Sequence, residues 1–380
     1  MQPNNLISYY PTYGILDEVV SYGPYNQLNI YIDLKNNMQT TYMEHAIVNI
    51  VENSLRSRMY DTSIFSSLVS FLAFHRRYAI SREMKLNFFI FFESGQSYYH
   101  QNISSKYKIS RRIDDLYGLD HEKRELFFKV LNANYNMIEN AFNKIPNSKV
   151  IRLPNLEADF VPYYLINHNL VERNDGVGHI IYSNDHDLLQ CVNDNVYVYQ
   201  KVGSKIKRIV KKGEVMQKEL KKDYGIPDEY FPLALAIIGD TGDDVEGVKG
   251  VGPAFFAKSF NEIQKLVGSM DDLYDNIVNK RPIFDKSLCP IPNKFVSKII
   301  DFEENEGGVT RNLKLVSFEL LSRTLIDPPT VEILNKKKLI EKVLNDESLT
   351  KLHPLQEALT RTGVEIEDSA LELLFYNSGG

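Results

Sequence analysis

Short apolar segments alternate with segments of helical periodicity along much of the chain, and this alternation constrains the fold more than any other feature. Strand-like segments lie at 28–32, 86–92, 150–153, 178–182 and 196–199. Helical spacing over 40–80 and 156–169 places helices between several of them. Parallel neighbouring strands need such crossover connections. The sequence therefore predicts an α/β fold with a largely parallel central sheet flanked by helices.

The remaining segments predict a division into three parts. Residues 94–148 are polar and basic, and they have helical character. Apolar helices at 229–238 and 253–267 frame a glycine-rich segment, and charged helices are expected near 336–346 and 354–375. We expect an N-terminal extension, an α/β core and a helical C-terminal region, with bounds 1–28, 29–225 and 226–380.

Composition sets limits on location and partners. The longest apolar run, 88–92, is far too short to cross a bilayer, so no membrane association is expected. Cys191 and Cys289 are too few for a disulfide framework, and they match no zinc pattern. We therefore expect a cytoplasmic protein. The net charge of −6 is not typical of a nucleic-acid-binding protein. Carboxylates that hold cations would, however, lower that total.

Acidic residues follow the predicted strands at their carboxyl ends. In open α/β sheets this edge is where ligands bind, so the acids are expected to converge there. A single acid at such a position is more often a helix cap or a solvated loop residue than a metal ligand. Together they would repel one another unless cations neutralised them, and all-oxygen ligation favours Mg²⁺ or Mn²⁺. The candidate metal ligands are Asp33, Glu93, Glu157, Asp159, Asp185, Asp187, Asp240 and Asp243.

The segment 239–252 joins acids to a glycine hairpin. Asp240 and Asp243 precede Gly-Val-Lys-Gly-Val-Gly at 247–252, and Pro253 opens the following helix. Glycines let the backbone approach a phosphate closely and present its N–H groups. This arrangement is the helix-hairpin-helix pattern, which binds the sugar–phosphate backbone without reading bases. The predicted contacts are Gly247, Lys249, Gly250 and Gly252.

Two clusters of basic residues are present although the net charge of the chain is negative. Tyr107 lies beside Lys106, Lys108, Arg111 and Arg112, an aromatic side chain among cations that suits a single strand or flap end. Taken by itself, this cluster is explained slightly better as a solvated helix face. The second cluster, Lys201, Lys205, Lys207, Arg208, Lys211 and Lys212, would touch duplex phosphates or keep a sheet edge soluble.

The order of these motifs resembles the 5′-nuclease family, which includes flap endonucleases, phage 5′–3′ exonucleases and the 5′-nuclease domain of DNA polymerase I. The resemblance covers about 29–270 and runs from Asp33 through Tyr-Lys-x-x-Arg at 107–111, Glu-Ala-Asp at 157–159 and Ser-x-Asp-x-Asp at 183–187 to Gly-Asp-x-x-Asp at 239–243. Three positions depart from the family pattern. Glu93 stands where Asp is usual, Phe160 replaces a carboxylate, and Asp244 replaces Asn.

The resemblance implies a PIN-like core, with a helical arch or clamp at about 94–148, that hydrolyses DNA phosphodiesters at or near 5′ ends with two metal ions. Asp33, Glu93, Glu157 and Asp159 would hold one ion, and Asp185, Asp187, Asp240 and Asp243 the other. Lys108 and Arg111 would act on the scissile phosphate as catalytic residues, and Tyr107 and Arg112 would bind DNA. A K⁺ ion at the hairpin and a monomer are also expected.

The resemblance further implies DNA with a 5′ end, flap or nick as partner, in phage replication or repair. If a phage encodes the chain, the cytoplasm in question is that of the bacterial host. Two alternatives stay open at this point. One is a DNA-structure-binding protein with weakened catalysis, which Phe160 motivates. The other is a nuclease that removes RNA from RNA–DNA hybrids.

Overall fold

The computed structural model describes residues 13–34, 62–94, 98–109, 121–154, 157–202 and 206–326. Its strands are β1 Gln27–Asp33, β2 Lys85–Ser94, β3 Ser148–Pro154, β4 Val177–Tyr182, β5 Val196–Val202, β6 Ile206–Val210, β7 Gly239–Asp240 and β8 Val245–Glu246. Its helices are α1 Tyr13–Val20, α2 Thr62–Ser81, α3 Tyr98–Ile103, α4 His121–Phe142, α5 Phe160–Asn167, α6 Val215–Glu219, α7 Phe231–Ile238, α8 Pro253–Val267, α9 Met270–Val278, α10 Lys294–Glu306, α11 Gly308–Val316 and α12 Phe318–Ile326.

The described residues form two compact units. The first comprises those within 13–94 and 121–209, and the second comprises 98–109 together with 210–326. These units do not follow the bounds 29–225 and 226–380 expected from the sequence. Part of the expected arch, 98–109, groups with the second unit, whereas α4 groups with the first.

A six-stranded sheet in the order β3-β2-β1-β4-β5-β6 forms the centre of the first unit. The pairs β1–β2, β1–β4, β2–β3 and β4–β5 are all parallel. Helices α2, α4 and α5 connect successive strands from β1 to β4, as parallel pairing requires. The predicted α/β fold with a largely parallel sheet is confirmed. Strands β2 and β3 are added on one side of β1, and strands β4 to β6 lie on its other side, so the strand order reverses between β1 and β4. The carboxyl ends of β1 and β4, at this reversal point, are the expected ligand site.

Helices bury the central strands. Every residue of β1 and β4 is buried, including the polar residues Gln27, Asn29, Asp33 and His179. On α2, Leu68, Phe71, Leu72 and His75 recur at helical spacing and are buried. Helix α1 lies within the expected extension 1–28, yet its Leu16 and Val19 are fully buried in the same core. The apolar spacing in α1 extends over about two turns, too few to identify the helix from the sequence.

The second unit is helical around a short hairpin. Helix α7 is buried at Phe231 through Ile237, and α8 begins at Pro253 and ends before Gly268, which has a φ of +71°. Asn293 caps α10 by accepting the N–H groups of Phe295 and Val296. The helices predicted near 336–346 and 354–375 fall outside the described residues. Within the described part of the chain, no helix is long and apolar enough to cross a bilayer.

Candidate functional site

Asp33 and the segment after β4 meet at the reversal point of the sheet. Ile32 of β1 pairs with Tyr182 of β4, so Asp33 and Ser183 are the next residues along each strand. The Ser183 hydroxyl donates a hydrogen bond to Asp33 Oδ2 at 2.7 Å and accepts one from the N–H of Asp185 at 3.0 Å. Both Asp33 and Ser183 are buried. Ser183 thus holds the acid of β1 and the acidic loop in one fixed arrangement.

Three carboxylates from two segments come together in the first unit. Asp159 is the residue just before α5, and Asp185 and Asp187 follow β4, with Asp185 Oδ1 accepting the N–H of Asp187 at 3.1 Å. One carboxylate oxygen from each of Asp159, Asp185 and Asp187 lies within 4.8 Å of the other two. Three of the eight acids expected to converge at this edge therefore lie together.

The group is chemically suited to a hard cation. Asp159 and Asp187 are buried and Asp185 is half-buried, so their negative charges are close together and poorly solvated. Buried carboxylates at this spacing need a positive charge for compensation. The donors are all oxygen, which fits Mg²⁺ or Mn²⁺ far better than a soft metal.

The other predicted acids of the first unit take different positions. Glu157 is buried two residues before Asp159. Glu93 pairs with Leu153 in the β2–β3 ladder, but its side chain lies outside the described part of the chain. Phe160 is fully buried, with its ring 6.1 Å from that of Tyr163 and 5.6 Å from that of Tyr164. Phe160 therefore contributes to the core at the position where the family pattern has a carboxylate.

Asp240 and Asp243 belong to the second unit, where two predicted residues contact Asp243. The Asp240 side chain caps a single 3₁₀ turn by accepting the N–H of Gly242 at 2.8 Å. Asp243 Oδ2 accepts the Tyr107 hydroxyl at 3.0 Å and lies 3.1 Å from Lys108 Nζ. The Lys108 N–H also donates to the Asp243 carbonyl at 3.0 Å. Lys108 thus supplies a positive charge to a predicted metal ligand.

Tyr107 is placed differently from the sequence-based interpretation. Its side chain is only 3 % exposed, and its ring stacks on His100 with centroids 4.8 Å apart. With its hydroxyl on Asp243, the ring presents no open face for a nucleic-acid base. Arg111 and Arg112, and the side chains of Lys201, Lys205 and Lys207, lie outside the described residues.

The glycine hairpin is built on close backbone contacts. A Cβ on Gly247 would lie 2.0 Å from the carbonyl oxygen of Ile238, so only glycine fits there. Gly250 has a φ of +81°, which glycine adopts without strain. The N–H of Val248 donates to the Ile237 carbonyl at 2.8 Å, and this bond fastens the hairpin to the end of α7. The tip of the hairpin is accessible, because Lys249 and Gly250 are exposed and Gly252 is half-buried.

Comparisons with known proteins point to the same family. No protein-family model matches the sequence. The chain is 32 % identical over 136 residues to a 5′-3′ exonuclease of Aquifex aeolicus, covering 35 % of this chain and 41 % of that protein. It is 28 % identical over 188 residues to a 5′-3′ exonuclease of Buchnera aphidicola (subsp. Baizongia pistaciae), covering 49 % of this chain and 57 % of that protein. These matches span about half the length of the relatives.

A solved structure extends the likeness to most of the fold. The bacteriophage T5 5′-exonuclease with bound divalent metal ions (zinc) has a TM-score of 0.53 and 19 % identity, covering 84 % of this chain and all of that chain. The chain is therefore similar to 5′-nucleases in part of its sequence and in its fold. A second T5 structure, a flap endonuclease variant in complex with DNA and metal ions, has the same TM-score and coverage.

Within this 5′-nuclease fold, three supporting residues were missed by sequence reasoning. Ser183 was part of a motif but was given no role. Asn312 of α11 is 1 % exposed, and its side-chain N–H groups donate to the carbonyls of Ala236 and Glu246, both at 2.8 Å. Lys298 of α10 donates to the Lys249 carbonyl at 3.4 Å. Asn312 and Lys298 lie far along the chain from the motifs they support, and no local pattern marks them.

The structure also explains one departure from the family pattern. Asp244 has a φ of +57°, a left-handed conformation that Asn and Asp adopt more readily than most residues. Asp at this position therefore satisfies the same backbone requirement as the family's usual Asn.

Proposed function

We propose that this chain hydrolyses DNA phosphodiesters at or near 5′ ends, as a 5′–3′ exonuclease, a flap endonuclease or both. The observation that carries the proposal is the convergence of Asp159, Asp185 and Asp187 at the reversal point of a parallel sheet. Sequence relatives named 5′-3′ exonuclease and the T5 fold support it.

The acids would hold two Mg²⁺ or Mn²⁺ ions. Asp33, Glu93, Glu157 and Asp159 are assigned to one ion, and Asp185, Asp187, Asp240 and Asp243 to the other. Bound divalent ions supply hydroxide at neutral pH and stabilise charge on phosphate oxygens. Ser183 would fix the positions of Asp33 and the 185–187 loop relative to each other, so that both can hold ions.

Lys108 and Arg111 would act on the scissile phosphate. A lysine that already neutralises Asp243 places a cation beside a predicted metal ligand. That position suits an ammonium group that offsets the charge developing on the phosphate. Tyr107 would keep Lys108 in place, since its hydroxyl binds the same carboxylate.

The hairpin 247–252 would bind the duplex backbone away from the cleavage point, with Arg112 contributing from the arch. Exposed Lys249 and the N–H groups at the start of α8 provide the contacts. The expected K⁺ at this hairpin has a competitor within the chain. Lys298 Nζ lies 3.4 Å from the Lys249 carbonyl, so an ammonium group already meets this part of the hairpin.

The proposed partner is DNA with a 5′ end, flap or nick, acted on by a monomer in phage replication or repair. One observation favours a second candidate function, structure-specific DNA binding with weakened catalysis. Phe160 is fully buried among aromatic rings, so that position supplies no ligand. Removal of RNA from RNA–DNA hybrids is a variant of the first proposal, because backbone contacts do not distinguish the sugars reliably.

The experiment is a cleavage assay of the full chain with labelled 5′-flap, nicked, single-stranded and RNA–DNA substrates. Mg²⁺ and Mn²⁺ are compared with EDTA. We expect metal-dependent products, whose lengths distinguish stepwise release of nucleotides from a single cut at a flap junction. Binding of flap DNA without products under either metal would instead support the binding-only candidate.

A further inference from the structure

Two phenylalanines form a stacked, partly exposed pair in the second unit. Phe255 lies in the first turn of α8 and is 39 % exposed, although it is a large apolar side chain. Phe295 lies in the first turn of α10 and is half-buried. The two ring centroids are 4.0 Å apart, with an angle of 27° between the ring planes. Core packing of α8 uses other residues, including Phe256 and Phe260.

A network of hydrogen bonds holds the pair in place. Glu262 of α8 accepts the N–H of Asn293 and one of its side-chain N–H groups, both at 2.9 Å. The Asn293 side chain also donates to Ser259 at 3.2 Å and caps α10 just before Phe295. The start of α10 is thus fixed against α8, and the rings do not depend on each other alone for their position. Preorganised aromatic side chains lose little conformational entropy when they bind.

Lysines surround the ring pair. Lys258 Nζ lies 5.9 Å from the centroid of Phe255, and Lys294 Nζ lies 4.9 Å from that of Phe295. Lys298 connects the pair to the hairpin through its bond to Lys249, and a Cβ on Gly250 would lie 3.3 Å from Lys298 Nζ. All four lysines are exposed, and none forms an ion pair with another described residue. The acid next to this surface, Glu262, is already engaged by Asn293.

We propose that this surface binds a single-stranded segment of DNA next to the duplex that the hairpin holds. We name it the aromatic platform and define it as Phe255, Phe295, Lys249, Lys258, Lys294 and Lys298. It rests on the proposed function in one respect, that the chain acts on DNA. Proteins that bind single strands combine a cationic track for phosphates with aromatic side chains on which bases stack.

The single strand fits this surface better than a duplex does. Bases inside a duplex are stacked on their neighbours, and their faces are not available to a protein ring. Contact with duplex phosphates needs cations and backbone N–H groups alone, which the hairpin tip supplies. A stacked, partly exposed pair of phenylalanines adds a surface for base stacking, which only an unpaired base can reach. The aromatic platform should therefore raise the affinity for junctions, where paired and unpaired DNA meet, over the affinity for a plain duplex.

The test is equilibrium binding in EDTA, which separates the aromatic platform from any cleavage. Fluorescence anisotropy would follow a labelled single-stranded oligonucleotide, a blunt duplex and a duplex with a single-stranded tail. Phe255→Ala should weaken binding of the single strand and the tailed duplex by about fivefold to a hundredfold, the range for loss of one stacked base. Binding of the blunt duplex should change by less than about twofold in the same series.

Tyr224→Ala is the matched control. Tyr224 is also 39 % exposed, and it also has a lysine beside its ring, with Lys222 Nζ 5.4 Å from the centroid. It stacks on no other aromatic ring among the described residues, so its loss should leave single-strand binding unchanged. An equal loss in Tyr224→Ala and Phe255→Ala, or an equal loss for single strand and blunt duplex, would overturn the proposal.

A second variant keeps the proposal testable if Phe255→Ala perturbs the fold. Lys258→Gln with Lys294→Gln retains both rings and removes two cations from the surface. The slope of log affinity against log salt should become shallower by about 0.7 for each phosphate that the protein no longer neutralises. An unchanged slope would contradict the assignment. Failure of the wild-type chain to bind any single strand would also overturn the aromatic platform, while cleavage at duplex ends would still stand.

Discussion

Ser183 links the acid at the end of β1 to the acidic loop after β4. Its hydroxyl donates to Asp33 and accepts from the N–H of Asp185. Ser183→Ala removes both bonds at a buried position, and we expect a loss of about 1–3 kcal/mol in the free energy of unfolding. Divalent metal affinity should fall about 10–100-fold, as it does when a residue that orients ligands is lost.

Calorimetric titration with Mn²⁺ and urea unfolding measure the two effects separately. Ser183→Thr keeps the hydroxyl and serves as the control. If Ser183→Ala bound Mn²⁺ as tightly as the wild type, Ser183 would have no part in organising the site.

His75 is a second residue with a measurable consequence. Burial lowers its pKa from 6.5 to about 4, and its ring nitrogens lie 2.8 Å from the Phe71 carbonyl and 2.8 Å from the Tyr182 hydroxyl. The unfolded chain binds a proton below pH 6.5, whereas the folded chain stays neutral down to about pH 4. Stability should therefore fall as pH decreases through this interval, by about 3 kcal/mol from His75 alone.

Urea unfolding at several pH values between 4 and 7 provides the measurement. His75→Leu should be less stable at pH 7, because the Tyr182 hydroxyl loses its partner nitrogen. Its pH dependence should nevertheless be flatter, by up to about 1.4 kcal/mol per pH unit for one proton. A variant with the same slope as the wild type would show that another group dominates this range. His179 is a candidate, because burial lowers its pKa to about 4 as well.

At the scale of elements, the hairpin between α7 and α8 makes a prediction that compares two glycines. Gly247 has no room for a Cβ, whereas a Cβ on Gly252 would meet no atom within 4 Å. Gly247→Ala should lower the free energy of unfolding by about 1–3 kcal/mol or more, because the backbone must shift. Gly252→Ala should stay within about 0.5 kcal/mol of the wild type.

Denaturant unfolding decides between these outcomes, and duplex binding adds information about function. We expect Gly247→Ala to lose duplex affinity together with stability. Equal stability of the two variants would mean that the hairpin is not held against α7 as the Val248 and Asn312 hydrogen bonds indicate.

The same elements show what the sequence could and could not predict. Strands β1, β2 and β4 and helix α8 were predicted because each has a strong apolar pattern of the right period. Helix α1 was not, because eight residues carry too little periodicity to distinguish it from an extension. The grouping of 98–109 with the second unit was also missed, since it depends on contacts such as Lys108 with Asp243 that are distant in sequence.

At the scale of the whole molecule, the candidate site was predictable to the extent that the fold was. Acids at the ends of parallel strands must share one edge, and Asp33, Asp185 and Asp187 do so because β1 and β4 are neighbours. The roles of Ser183, Asn312 and Lys298 depend on side-chain contacts across the fold, which no local pattern encodes. The burial of Tyr107 has the same origin, because its partners His100 and Asp243 come from separate elements.

The most direct test of the central claim compares cleavage and binding in the acid variants. Asp185→Asn and Asp187→Asn each replace a carboxylate by an amide of nearly the same shape, which removes a charge proposed to hold a divalent ion. Single-turnover cleavage of a labelled 5′-flap substrate in Mg²⁺ should fall below detection in both, while flap affinity measured in EDTA stays within about threefold of the wild type. Near-normal cleavage by both variants would contradict the account.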